Sequence, residues 1–330
     1  MQPFAAPVSD AGRSDLEQFA SDVAYYLTLT PRQLPSRYLY DTLGSALFEA
    51  ITELPWYGIT RAERDLLARR GREIIAHAEP VSTLVELGPG SGEKLATLIE
   101  AGRVPGRRLT VHLIDVSAAA LELASRTLAA LDAPESIEVV THQAAYEAGL
   151  TQAVAKRRGT GRMLTLFLGS NIGNFDPPGA DAFLQNVRAA LAAGDALLVG
   201  TDLVKPESQL LLSYDDPLGV TAAFNRNLLV RINRELGADF DIGAFRHRAV
   251  WNAEESRVEM HLVAGSRQHV RIPAASLDLV FDAGDTIWTE SSYKYRPGDV
   301  VRMLERAGFR WVERWIDDVD GFALTLVVAT

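Results

Sequence analysis

The segment Glu86-Leu87-Gly88-Pro89-Gly90-Ser91-Gly92-Glu93-Lys94 is where residue types and spacing point most directly to chemistry. Glycines let a backbone turn sharply and approach a ligand closely, because no Cβ intervenes. The order G-x-G-x-G after an acid is not the dinucleotide fingerprint G-x-G-x-x-G, which needs glycine where this chain has Glu93. Asp115 ends the next apolar run. A carboxylate there can accept both ribose hydroxyls of a nucleoside lying across a sheet edge; the alternative is that it caps the helix starting near Ser117. Lys94 either meets a ligand carboxylate or is a surface lysine. A third segment, LGSNIGNFDP (168–177), puts two glycines and two asparagines at the end of another apolar run. Amides there can bond a carboxylate or hold an amine, though Asn and Gly also make plain turns. The chain has no cysteine, which removes disulfides, thiolate metal ligands and a cysteine nucleophile. Its six histidines (His77, His112, His142, His247, His261, His269) show no HExxH or HxH spacing, so no metal site is expected.

The elements that must position these residues follow from periodicity. Residues 14–30 read as an amphipathic helix opened by Ser14 and Asp15 and closed by Pro31 and Pro35. An aromatic-rich segment (36–63) follows, then a helix over about 60–78 stopped by Pro80. VSTLVEL (81–87), LTVHLID (109–115), IEVVTHQ (137–143), MLTLFLG (163–169) and ALLVGTDL (196–203) read as strands. Helices are expected at 93–101, 117–131 and 179–192. Strands alternating with helices at this spacing imply an α/β fold with a parallel, doubly wound, Rossmann-like sheet. Beyond Lys205 the pattern changes to a helix near 219–237, then to alternating runs at 257–263, 269–272, 277–281 and 287–295. These imply a second, α+β domain facing the substrate and inserted into the first. The expected division is 1–62 with 205–294 for the substrate domain, and 63–204 with 295–330 for the doubly wound one. Helix 297–307 and strands 309–317 and 322–329 close the chain.

The net charge of −10 argues against nucleic acid as a partner, since phosphate binding needs clustered Lys and Arg. The densest basic run, Lys156-Arg157-Arg158, reads as a solvated helix end. Met1 to Arg13 lacks the basic start and apolar stretch of a signal peptide, and no apolar run is long enough to span a bilayer. A cytoplasmic location with no membrane partner is the expectation.

Seven blocks then make the sequence recognisable: YDTLGSALFEAITELPWY (40–57), VELGPGSGEK (85–94), FLGSNIGN (167–174), GTDLVK (200–205), YDDPLGVTAAFNRNLL (214–229), WNAEESRVEM (251–260) and TESSYKYRP (289–297). Over nearly the whole chain it resembles the histidine Nα-methyltransferases of ergothioneine biosynthesis, which convert histidine to its trimethylated betaine, hercynine. The resemblance implies a class I methyltransferase sheet, S-adenosylmethionine as cofactor, L-histidine as substrate and a monomer. Carried over position by position, it implies that Gly88, Gly90, Lys94 and Asp115 contact the cofactor, with Ala145 and Tyr146 at its adenine. Tyr57, Asn174 and Tyr214 would hold the amino acid, the last two near its carboxylate. Glu290 and Ser292 would bond the imidazole, Met260 would line its pocket, and Tyr40 and the Gly169 carbonyl would lie near the amine.

Physical chemistry accommodates those roles. Glu290 and Ser292 stand two apart in a strand and share a face. A carboxylate and a hydroxyl can satisfy both imidazole nitrogens, although the same pair on a solvent face would do nothing. The amine must be neutral to attack, and the third transfer leaves a permanent cation that aromatic rings such as Tyr40 or Tyr57 tolerate. Three processive transfers are expected. The chain departs from the family pattern at three places: Gly58-Ile59 follows the pocket tyrosine in place of Tyr-Pro, Ala145-Tyr146 stands where an Asp precedes an aromatic, and Asn171 replaces threonine. The second removes a hydrogen bond to the adenine amine, a loss of about 1–3 kcal/mol. Rival functions are methylation of another amino acid such as tyrosine or tryptophan, a nucleotide-binding dehydrogenase, and a catalytically silent homologue.

Overall fold

The computed structural model describes residues 15–102, 108–132, 136–157 and 160–330. The chain divides into two compact units, Met1–Gly58 with Lys205–Tyr293, and Ile59–Val204 with Lys294–Thr330. Ser14, Arg158 and the segment read for a signal peptide lie outside the described residues.

The chain opens in the first unit with α1 (Asp15–Leu27), β1 (Arg32–Gln33) and α2 (Thr42–Thr52). Phe19, Val23, Tyr26 and Leu27 recur at helical spacing and form the buried stripe of α1. Asp41 starts α2 by accepting the Gly44 N–H at 2.7 Å. The second unit follows with α3 (Gly58–Ala78), β2 (Val81–Leu87), α4 (Glu93–Ala101), β3 (Leu109–Asp115), α5 (Ala118–Ala129) and β4 (Ile137–Gln143). It continues through α6 (Tyr146–Ala155), β5 (Arg162–Phe167), α7 (Pro177–Ala190) and β6 (Ala196–Asp202). The first unit then adds α8 (Glu207–Tyr214), α9 (Val220–Leu236), β7 (Phe245–Asn252), β8 (Arg257–Ala264), β9 (Gln268–Ile272), β10 (Leu277–Phe281) and β11 (Thr286–Tyr293). The second closes with α10 (Pro297–Arg306), β12 (Phe309–Asp317) and β13 (Phe322–Ala329).

The second unit is built on a seven-stranded sheet of order β12-β13-β6-β5-β2-β3-β4. The five strands from β4 to β6 are parallel. β13 inserts antiparallel beside β6 and β12 antiparallel beside β13. Every residue of β6 and β13 is buried, which is why both read as continuous apolar runs rather than alternating ones. After β4 the chain returns to the far side of β2, so the strand order reverses between β2 and β5, where open α/β sheets bind their ligands. The first unit has a four-stranded sheet of order β1-β11-β8-β7 and the hairpin of β9 with β10. This is the mixed α/β fold the periodicity implied.

Two expectations need correction. The run at 156–158 is not simply a solvated helix end: Arg157 makes two hydrogen bonds, of 2.8 and 2.9 Å, to the carboxylate of buried Asp195. That carboxylate also accepts the Met163 and Ala192 N–H groups, so the arginine neutralises a charge that cannot reach water. The strand β7 and the helix α6 have no counterpart in the pattern expected from periodicity. Among the described residues no helix is long and apolar enough to cross a membrane, and no group of His, Asp and Glu could hold a metal.

Candidate active site

The glycine loop leaves β2 at the strand reversal. Gly88 has φ +75, and a Cβ there would stand 2.9 Å from the Tyr146 hydroxyl and 3.3 Å from the Asn171 side-chain nitrogen. Gly92, at φ +77, starts α4, and a Cβ would meet the Ala124 backbone of α5 at 2.8 Å. The first glycine lets the Tyr146 and Asn171 side chains close on the loop; the second lets two helices approach. Gly90 also has positive φ.

Asp115 ends β3, half-buried, and burial raises its pKa. Its carboxylate accepts the Ser117 N–H at 2.8 Å, but the helix cap itself is Ser117, whose hydroxyl accepts from Ala120. Asp115 thus contributes to the start of α5 without being its cap. Ala145 is exposed and begins α6 with no side-chain cap. Tyr146 packs edge-on against Phe167 and Phe183, with ring centroids 5.5 and 6.1 Å away, and burial pushes its phenol pKa up.

The loop after β5 turns through Gly169 at φ +74 and Ser170 at φ +57 into a 3-10 turn, Asn171–Asn174. The Ser170 hydroxyl accepts the Asp202 N–H at 2.9 Å and holds this turn. Asn174 is exposed. Asn171 is half-buried, its amide nitrogen toward Gly88 and its oxygen 3.5 Å from a Cβ position on Gly169. A residue the sequence reading missed organises this area. Glu63 of α3 is fully buried; its carboxylate accepts the Gly169 N–H at 2.8 and 2.9 Å and the Lys94 ammonium at 2.8 Å. Lys94 is therefore not a loose surface lysine. Glu63 gave no signal, because one acid inside a long helix pattern looks like any charge on a solvent face.

In the other unit, Glu290 and Ser292 are 7 % and 3 % exposed, which excludes the solvent-face alternative. On β11 they pair with Met260 and Val258 of β8, and Met260 is buried beside them. The Tyr214 hydroxyl donates to the Ser292 hydroxyl at 2.8 Å. His247, unassigned by the sequence reading, fixes the tyrosine's backbone. The Tyr214 carbonyl can only accept, so Nε2 of His247 carries the proton in their 2.7 Å bond, and Nδ1 accepts from the Asn225 amide at 2.9 Å. Burial lowers the pKa of His247, in keeping with this neutral form. Asn227 donates to Asp41 at 2.7 Å, so both asparagines of the AAFNRN block are buried scaffold. Tyr57 is buried and Tyr40 partly exposed; they flank Phe48, at 6.2 and 5.5 Å, and Tyr40 lies 5.5 Å from Phe224.

The structure thus gathers Gly88, Gly90, Lys94, Asp115, Ala145, Tyr146, Gly169 and Asn174 in one unit, and Tyr40, Tyr57, Tyr214, Met260, Glu290 and Ser292 in the other.

A seven-stranded sheet of this order, with its reversed penultimate strand, a glycine loop after the first strand and an acid ending the second, defines a class I S-adenosylmethionine-dependent methyltransferase. The residues present fit that cofactor: the loop turns through Gly88, Gly90 and Gly92 at positive φ, Asp115 ends the adjoining strand, and the Lys94 side chain is partly exposed. The model of the family "histidine-specific methyltransferase, SAM-dependent" matches residues 19–329, and the chain belongs to that family. It is 43 % identical over 318 residues to the histidine N-alpha-methyltransferase of Mycolicibacterium smegmatis, covering 96 % of this chain and 97 % of that protein. It is 45 % identical to the protein of the same name from Mycobacterium tuberculosis, covering 96 % of each. Ergothioneine biosynthesis protein 1 of Schizosaccharomyces pombe is 26 % identical, over 94 % of this chain and 41 % of that protein.

Proposed function

We propose that the protein transfers three methyl groups in succession from S-adenosylmethionine to the α-amino nitrogen of L-histidine, giving hercynine for ergothioneine biosynthesis. The observation that carries this reading is the buried polar face formed by Glu290, Ser292 and the Tyr214 hydroxyl beside Met260. A carboxylate and a hydroxyl on one buried strand face can each bond one of the two nitrogens of an imidazole, which a purely apolar side chain does not offer. An apolar ring of tryptophan size has less use for Glu290. Family membership and the names of the two mycobacterial relatives support the same substrate.

In this reading Glu290 and Ser292 bond the imidazole, Met260 lines its pocket, and Tyr57 and Tyr214 hold the amino acid. Asn174 and Tyr214 serve its carboxylate, while Tyr40 and the Gly169 carbonyl serve the amine. Gly88, Gly90, Lys94 and Asp115 bind the cofactor, with Ala145 and Tyr146 at the adenine. The cofactor supplies an electrophilic methyl group, and the chain's task is alignment and exclusion of water. The amine attacks only when neutral, so a tyrosine or a water takes one proton from it in each of the three rounds. Tyr40, Tyr57, Phe48 and Phe224 form an aromatic cluster suited to the quaternary cation left by the third.

Mass spectrometry of the protein incubated with S-adenosylmethionine and each of the twenty amino acids tests the proposal. A gain of three methyl groups on histidine alone is expected, with severe loss of that turnover in Glu290→Ala. Methylation of another amino acid, or unchanged kinetics in Glu290→Ala, overturns the substrate assignment. A monomeric state and a cytoplasmic location belong to the same proposal, and light scattering and cell fractionation decide them.

A further inference from the structure

We propose that Glu63 is a positioning residue for the cofactor: its one buried carboxylate holds both Lys94 and the Gly169 backbone, and so sets the affinity for S-adenosylmethionine. The inference rests on the assignment of Lys94 to the cofactor.

Glu63 lies on the inward stripe of α3 among Ile59, Ala62, Leu66 and Leu67, all buried. Packing alone would be served there by an apolar side chain, and burying a carboxylate costs several kcal/mol unless cations and donors compensate it. The chain nevertheless commits a second position to this charge. Gly200 of β6 faces it, and a Cβ at 200 would stand 2.1 Å from Glu63 Oε1. The glycine in the centre of a buried strand is thus explained by the carboxylate that needs its space.

The partners of Glu63 come from the two loops that flank the strand reversal. Lys94 stands in the first turn of α4, directly after the glycine loop, and Gly169 at the end of β5. Both are bonded at 2.8 Å to the same oxygen, Oε2. The glutamate side chain itself is sealed from solvent, whereas the lysine side chain is 24 % exposed. An ammonium has three donors. One goes to Glu63, which leaves donors for a ligand carboxylate from a lysine whose long side chain is already fixed. Glu63 cannot touch the ligand and acts through Lys94 and Gly169.

Calorimetric titration of S-adenosylmethionine, with no amino acid present, reads this role directly. Glu63→Gln is expected to weaken binding about tenfold, the range of one lost charge-assisted bond. In a Lys94→Met background the same change should add less than about twofold, because the lysine is gone and the oxygen that glutamine retains can still accept the Gly169 N–H. The KM for the amino acid should move far less than the KM for the cofactor, which a purely structural defect would not produce. Should Glu63→Gln fail to fold, Glu63→Asp keeps the charge on a shorter stem and should show the same weakening. Wild-type affinity in the Glu63 variant, or an undiminished effect without Lys94, overturns the inference. Normal binding by Lys94→Met removes the lysine assignment and the inference together, whereas normal binding by the Glu63 variant alone leaves that assignment standing.

Discussion

Replacing Glu86 by glutamine should change how stability depends on pH, and by an amount the structure sets. Glu86 is 1 % exposed near the carboxyl end of β2, flanked in the sheet by Leu113 and Leu166. Its Oε2 has no hydrogen-bond partner among the described residues. Burial pushes its pKa from the usual 4.5 up to about 8; Lys94 opposes the rise, and Glu63 and Asp115 add to it. The folded protein therefore keeps a proton that the unfolded chain releases. A carboxyl raised in this way contributes its full stability below pH 4.5 and loses it as the pH climbs through about 8. Each pH unit in that window is worth about 1.4 kcal/mol, so the wild type should lose roughly 3 to 4 kcal/mol between pH 5 and pH 8 through this group alone. Glutamine has the same shape and no proton to lose, and any cost of its extra amide hydrogens is independent of pH. Urea denaturation of the ligand-free protein at pH 5 and pH 8 gives the comparison. The difference between variant and wild type should move in favour of the variant by roughly 3 to 4 kcal/mol from the lower to the higher pH. Curves that stay parallel within about 1 kcal/mol would refute the claim that Glu86 is held protonated.

Two further changes separate binding from scaffold. Asp115→Asn should weaken S-adenosylmethionine binding by about 10- to 100-fold, the value of a hydrogen bond to a charged group. Its melting temperature should stay close to wild type, because Ser117 still caps α5; an unchanged dissociation constant would reduce Asp115 to a helix-starting role. Asp195→Asn leaves Arg157 without its counter-charge and disturbs the Met163 and Ala192 contacts, so stability should fall by about 3 kcal/mol in chemical denaturation. A loss below about 1 kcal/mol would show that the pair is not the buried ion pair its geometry describes.

The strands that carry the cofactor residues were legible because their physics is local. Strands 81–87, 109–115, 137–143, 309–317 and 322–329 have in the structure the bounds read from periodicity. Where local physics misleads, the reading failed. β7 is an edge strand, and His247 stands between Phe245 and Ala249 on one face of it, which breaks the apolar half of the alternation that marks a half-buried strand. α6 contains Gly149, a poor helix residue, yet a Cβ there would lie 2.3 Å from Ile114, so close packing on β3 overrides propensity. Arg157 looked solvated because nothing in the sequence links it to Asp195, 38 positions away.

By itself the sequence determined the doubly wound sheet, the glycine loop with its non-dinucleotide spacing, the acid ending β3, and the residue types available for an amino-acid pocket. These depend on the order of side chains along short stretches, where period and turn chemistry leave few alternatives. Tertiary structure alone decided which polar groups are sealed from water and what they touch. It buried Glu290 and Ser292 and laid the Tyr214 hydroxyl on the serine. It also buried Glu63 against Gly200 and joined it to Lys94 and Gly169, 31 and 106 residues along the chain. A carboxylate carries the same letter on a solvent face and in a core; its energy, and so its function, depends on partners that only the folded chain brings within reach.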